Sequence, residues 1–181
     1  MLLESKRLYL RQITLADEND LYQYQSLPEV VRYIPWPERT REQVREAIVR
    51  YGGNTRLEET GDAILLGWQL KSTGQVIGQS NLSIFSKQDQ CGEFGYVVHP
   101  SFARQGYSFE ASQALLDFAF GTVNLHRVIA HLDDRNVASK NLLEKMGLRQ
   151  EAHMLEEEFF KGEWTSTYIY AMLKSEWEGG G

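Results

Sequence analysis

The chain has 181 residues, a formal net charge of −6, 42% hydrophobic and 24% charged residues. This length suits one domain with a core of its own, and the acidic balance argues against direct nucleic-acid binding, which needs a basic surface. The single cysteine, Cys91, excludes an internal disulfide and fits a reducing cytoplasm. No apolar run approaches the ~20 residues of a membrane span. Glu4, Lys6 and Arg7 stand where a signal peptide would need an apolar core. The expectation is a cytoplasmic protein without membrane contact, whose negative charge would suit a cationic substrate.

Arg7 to Ile13 alternates Leu8 and Leu10 with charged neighbours, the pattern of an amphipathic first strand. Thr14, with Asp17 at the capping-box position, opens a helix that continues to Ser26 and that Pro28 is expected to end. Tyr33-Ile34-Pro35-Trp36-Pro37 reads as an aromatic, proline-stiffened loop. Thr40 starts a second helix with Val44, Ile48 and Tyr51 on one face and Gly52-Gly53 stopping it. Ala63–Leu70 and Gln75–Ile84 are strands joined by a Lys71–Gly74 hairpin turn. After the turn Lys87–Gln90, a strand rich in aromatic and β-branched residues runs to Pro100. A helix over 108–121 follows, with Ala111, Leu115 and Phe118 at helical spacing. Arg127–Leu132 reads as a short central strand, Asn136–Met146 as a helix closed by Gly147, and 149–158 and 165–173 as the last strands, linked by a Phe160–Trp164 turn. Glu156-Glu157-Glu158 fits a solvated strand edge.

Between the strand before Pro100 and the helix from Ser108 lies the short polar turn Ala103-Arg104-Gln105-Gly106-Tyr107. Such a turn aims free backbone N–H groups and the positive end of a helix dipole at one spot, which makes a phosphate cradle. Neither Gly-x-x-x-x-Gly-Lys-Ser/Thr nor Gly-x-Gly-x-x-Gly is present, so a P-loop and a dinucleotide fold are excluded. The turn resembles the pyrophosphate-binding motif of the GNAT superfamily of N-acetyltransferases, Arg/Gln-x-x-Gly-x-Gly/Ala. It departs at Ala103, which stands first, and at Ser108, where Gly or Ala is usual. The flanking Gly-Tyr-Val-Val-His-Pro and Gln-Gly-Tyr-Ser-Phe-Glu-Ala resemble the RimJ/RimL-like branch, which acetylates ribosomal-protein N-termini. Asn136-Val-Ala-Ser139-Lys-Asn-Leu142-Leu143-Glu-Lys-Met146-Gly147-Leu148 is similar to a second family motif, Asn-x-x-Ser-x-x-Leu-x-x-x-Gly-Phe. Read from the residues alone, Ser139 shares a helix face with Leu142, Leu143 and Met146 and so points inward, unless it bonds back to the carbonyl one turn earlier.

The resemblance implies acetyl-CoA as cosubstrate. Its pantetheine arm would lie along the strand ending at Val97-Val98, its pyrophosphate on Arg104, Gln105, Gly106, Tyr107 and Ser108, with Asn136 bonding the arm and Ser139 near the sulfur as the group that protonates the thiolate. A solvated loop arginine is the other reading of Arg104. The loop carrying Tyr33 and Trp36 would line the acceptor pocket; by residue type alone it serves equally as a lid over the core. Glu93, a carboxylate inside a central-looking strand, is either the base that an amine nucleophile requires or one half of an ion pair with a neighbouring strand. His131 and Asp133 share a strand face, but no third ligand has metal-site spacing, so no metal is expected. Cys91 has no activating histidine adjacent in sequence.

The fold class expected is mixed α/β (α+β): the GNAT fold, a mostly antiparallel twisted sheet of about seven strands flanked by about four helices. It would fill residues 1–177 as one domain, with 178–181 a disordered glycine tail. The reaction implied is direct acetyl transfer to a primary amine, foremost a protein N-terminal α-amine. A small amine such as a polyamine or an antibiotic is the rival acceptor, and a non-catalytic acyl-CoA-binding module the rival class. Monomer and homodimer both stay open.

Overall fold

The structure is a computed structural model, which describes residues 1–179. Strands form at Leu2–Glu4 (β1), Leu8–Gln12 (β2), Ala63–Leu70 (β3), Val76–Ser86 (β4), Cys91–Val98 (β5), Arg127–Asp133 (β6), Arg149–Phe160 (β7) and Glu163–Leu173 (β8). The α-helices are Glu18–Gln25 (α1), Pro28–Val31 (α2), Arg41–Tyr51 (α3), Tyr107–Asp117 (α4), Val137–Lys145 (α5) and Lys174–Gly179 (α6). All the strands join one sheet in the order β1-β2-β3-β4-β5-β6-β8-β7. Every neighbouring pair is antiparallel except β5 and β6. That parallel pair needs a crossover, and α4 supplies it.

The sheet is mixed and mostly antiparallel, as expected, but it has eight strands rather than about seven. The extra one is β1, whose Leu2 pairs with Arg11; three residues are too few for a period to show. Among the described residues six α-helices replace the expected four or so. Pro28 does not simply end a helix: it sits in the first turn of α2, where its missing N–H costs nothing. At the C-terminus α6 includes Glu178 and Gly179, which were expected in a disordered tail; Gly180 and Gly181 lie outside the described residues. The Thr14–Asp17 capping box forms, but over a 3-10 turn that leads into α1. The helix expected over 108–121 is α-helical only to Asp117 and ends in a π-helical turn, Phe118–Thr122.

Helices cover both faces of the sheet. On one side Ala111 and Leu115 of α4 and Leu143 of α5 pack with Leu10, Leu66 and Leu82 of the strands. On the other, Leu21 and Tyr24 of α1 and Val44 and Ile48 of α3 pack with Ile13 and Val76. Tyr51, expected on that apolar face, is instead exposed. The feature that positions the site is the β5–β6 pairing. It holds only at Cys91↔Arg127, Gly92↔Val128 and Glu93↔Ile129. Beyond Glu93, β5 continues to Val98 and β6 to Asp133 without pairing, so the sheet splits.

Candidate active site

A cleft of about 450 Å³ opens in this split. Side chains on a strand alternate between faces, so Glu93 and Tyr96 of β5 point to opposite sides of the sheet. Because the strands have parted, the cleft passes between them and both residues line it. Of the residues picked out from sequence, Tyr33, Trp36, Glu93, Val97, Asn136 and Ser139 meet here. Val98 and the turn Arg104–Ser108 do not line it; the turn lies beyond the end of β5, at the start of α4.

On one face Glu93 Oε1 lies 2.9 Å from His131 Nδ1, with side-chain exposures of 34% and 35%. This is the cross-strand partner allowed for Glu93, and His131, weighed from sequence only as a metal ligand, is a lining residue of the cleft. An ionised carboxylate only accepts, so the pair places the imidazole proton on Nδ1 and leaves the Nε2 lone pair unencumbered. The Glu93 hydrogen bond raises the His131 pKa, against burial, which lowers it. Asp133, the other metal candidate, is taken: Arg135 Nη2 and Nε reach its two oxygens at 2.6 and 2.8 Å. Burial alone would raise the Asp133 pKa, and the Arg135 bonds outweigh it to bring it down. Among the described residues no group of three His, Cys, Asp or Glu is placed to hold a metal.

On the opposite face Tyr96 OH donates to Ser139 Oγ at 3.0 Å. The serine therefore bonds across to a strand, not back into its own helix. With its lone pair engaged by the tyrosine, its own proton is free to be donated. Asn136 caps α5, its Oδ1 accepting from Ser139 N–H at 3.2 Å, which fixes the serine backbone and leaves the asparagine amide NH₂ without a partner among the described residues. Tyr96 stacks on Trp68 with ring centroids 6.0 Å apart. Burial raises the Tyr96 pKa, with the Ser139 bond pulling the other way, so the phenol stays protonated at neutral pH. From sequence Tyr96 is one aromatic residue of the strand before Pro100, with no function of its own. Aromatic alternation signals burial and cannot reveal a hydroxyl partner 43 residues away.

The polar turn has two residues in the left-handed region, Arg104 at φ +59° and Gly106 at φ +83°. The first helical bond of α4 runs from Glu110 N–H to the Gly106 carbonyl at 3.0 Å. The N–H groups of Gly106, Tyr107, Ser108 and Phe109 therefore have no intrahelical acceptor and converge at the mouth of the turn. Glu110 would repel an anion there, but Arg7 neutralises it, with Nε 2.6 Å from Oε2. Arg7 also donates to the Gln105 carbonyl at 3.0 Å and lies over the Tyr107 ring at 4.0 Å. This brace was missed, since an arginine 98 residues before Gln105 carries no local signal.

The Tyr33–Trp36 loop forms the outer wall. Lys161 at the β7–β8 hairpin tip donates to the Val31 and Trp36 carbonyls at 2.5 and 3.4 Å, pinning hairpin to loop. The tip is a two-residue turn with φ +49° at Lys161 and +91° at Gly162, tighter than the Phe160–Trp164 turn expected. From inside, Arg39 lies 4.2 Å from the Trp36 ring centre and donates to Gln25 Oε1 at 2.9 Å. Gln25 Nε2 and Tyr24 OH in turn donate to Gln79 Oε1 at 2.7 and 3.0 Å. Gln79 lines the cleft beside Val97, its cross-strand partner.

Residues 7–149 match the family model described as an acetyltransferase (GNAT) domain. An uncharacterized N-acetyltransferase of Bacillus subtilis, YnaD, is 31% identical, with 98% of this chain and 99% of that protein aligned. The [ribosomal protein uS5]-alanine N-acetyltransferase of Escherichia coli is 24% identical over 72% of this chain and 68% of its own. The spermidine N(1)-acetyltransferase of Vibrio cholerae is 26% identical over 56% and 59%. The crystal structure of a GNAT-family acetyltransferase from Bacillus anthracis superposes with a TM-score of 0.88 at 27% identity, covering 97% of this chain and all of that one. The chain therefore belongs to the GNAT family of acetyltransferases.

Proposed function

We propose that this enzyme transfers the acetyl group of acetyl-CoA directly to a protein N-terminal α-amine, as the RimJ/RimL-like branch does. The observation that carries the reading is the meeting, in one cleft, of Glu93–His131 from one sheet face and Tyr96–Ser139 from the other. The family's acyl donor fits three features. The unpaired edges of β5 and β6 can bond an extended arm, the turn at Arg104–Ser108 offers N–H groups to a diphosphate, and Arg7 pairs with the Glu110 carboxylate beside it.

The amine attacks the thioester carbonyl, forming the C–N bond and then expelling the thiolate. One proton leaves the amine for the Glu93–His131 pair, directly or through water. Another is given to the sulfur by Ser139, which Tyr96 can replenish. An α-amine titrates near ~7.7–8.0 and a lysine near ~10.4, so the former asks far less of this one modest base. Similarity to an enzyme named for a ribosomal-protein alanine adds weight. The test compares a lysine-free peptide with a free N-terminus against an N-blocked, lysine-containing counterpart. Faster acetylation of the first is expected; faster acetylation of the second refutes the assignment, and turnover of spermidine alone moves it to small amines.

A further inference from the structure

We infer that the Gln79 carboxamide recognises the acceptor, donating from Nε2 to a carbonyl beside the reacting amine. This rests on the peptide reading above and supplies a residue for it. The orientation of an amide is normally ambiguous, because its oxygen and nitrogen occupy similar positions. Here a chain of obligate donors removes the ambiguity. A guanidinium can only donate, so the Gln25 atom facing Arg39 Nη1 at 2.9 Å must be its oxygen. Gln25 therefore presents Nε2 to Gln79 at 2.7 Å, and the Gln79 atom receiving it, together with Tyr24 OH at 3.0 Å, must be Oε1. The remaining edge of Gln79 is the NH₂ group.

Gln79, Gln25 and Tyr24 are 7%, 1% and 0% exposed, so this orientation is held inside the protein and not at a solvated surface. Among the described residues Gln79 Nε2 has no hydrogen-bond partner, and Ser112 Oγ is the one fully enclosed polar side-chain atom left unpaired. The NH₂ group thus opens into the cleft that Gln79 lines. Along β5 the cross-strand partners are Val97 for Gln79 and Ser83 for Glu93, which sets Gln79 on the Glu93 face, nearer the open end of the split. A fixed donor there attracts a carbonyl oxygen and repels an ammonium. A peptide carries a carbonyl next to its α-amine; a polyamine carries only further cationic nitrogens. Arg39 is then a positioning residue, setting the amide from two residues away while stacking on Trp36 of the outer wall.

Gln79→Glu tests this with almost no change of shape. The carboxylate still accepts from Tyr24 and Gln25, but it presents an acceptor to the cleft in place of a donor. With a short alanine-first peptide, KM should rise by about tenfold, the worth of one neutral hydrogen bond. The KM for acetyl-CoA should stay where it was, the melting temperature should fall because a carboxylate is costlier to enclose than an amide, and spermidine should compete more strongly with the peptide. The inference is overturned by an unchanged peptide KM, or by a loss shared between peptide and acetyl-CoA, which would mark Gln79 as a purely structural residue. Wild-type enzyme that acetylates no peptide would remove the peptide reading and this inference together.

Discussion

Gly106→Ala separates the two demands on the polar turn, its backbone conformation and its openness. Gly106 sits at φ +83°, and a Cβ built there meets only Arg7 Nη2 at 3.4 Å, an ordinary contact. The cost to the free protein is therefore conformational, ~1–2 kcal/mol for an L-residue in the left-handed region. For a domain of this size that lowers Tm by about 2–8 °C. Gly61→Ala is the matched control: φ is +93°, and its Cβ would meet nothing within 4 Å. Gly61 bonds to Ile84, at the far end of β4 from Gly78, which pairs with Val98 beside the turn. Both variants should lose similar stability. They should diverge when acetyl-CoA is added, because a ligand at a hundredfold its Kd adds ~2.7 kcal/mol to the folded state. Gly61→Ala should keep that gain. Gly106→Ala should lose most of it, since the new methyl stands among N–H groups that must approach a diphosphate closely. Thermal unfolding with titrated acetyl-CoA reads both quantities. Equal ligand-induced shifts in the two variants would refute the placement of the cradle.

The remaining expectations concern the two polar pairs. Ser139→Ala should lower kcat with little change in acetyl-CoA affinity, by up to the ~10²–10⁴-fold typical of general acid help; single-turnover kinetics in which kcat is unmoved would return the serine to a packing function. Glu93→Gln removes the carboxylate that raises the His131 pKa. If the acid limb of kcat/KM reports that pair, the limb should move to lower pH as turnover falls, and a pH–rate profile with an unshifted limb would uncouple His131 from the chemistry.

What the sequence revealed and what it concealed divide along a physical line. Asn136, Ser139, Gly147 and the Ala103–Ser108 turn are legible because cap, helix face and turn are local, each set by residues a few positions apart. The split of the sheet is not local. Cys91–Val98 and Arg127–Asp133 read as ordinary strands, and nothing in either says that their pairing ends at Glu93. His131 escaped for the same reason: its partner is 38 residues away, and only the β5–β6 register brings the two together. Arg7, Tyr96 and the Arg39–Gln25–Gln79 chain follow suit, each a long-range polar contact made by residues whose types fit many other surroundings.

In the proposed reaction the split would let a single strand serve both reactants. In a continuous sheet Glu93 and Tyr96 would be separated by the sheet itself, with no shared space in which an amine could reach a thioester. Parting β5 from β6 turns the strand edge into a wall, so one segment offers Glu93 to one side, Tyr96 to the other, and backbone between. In the proposed reaction, proton uptake and proton donation would then occupy opposite sides of the reacting carbonyl, as nucleophile and leaving group require. Opening a sheet exposes unpaired N–H and C=O groups, a cost that an extended arm laid between the strands would offset. Away from the gap each strand stays paired along its length, β6 with β8 from Arg127↔Leu173 to Asp133↔Thr167 and β5 with β4 from Ser86↔Cys91 to Gly78↔Val98. The cost is therefore confined to the two facing edges beyond Glu93, and the cleft is the space between them.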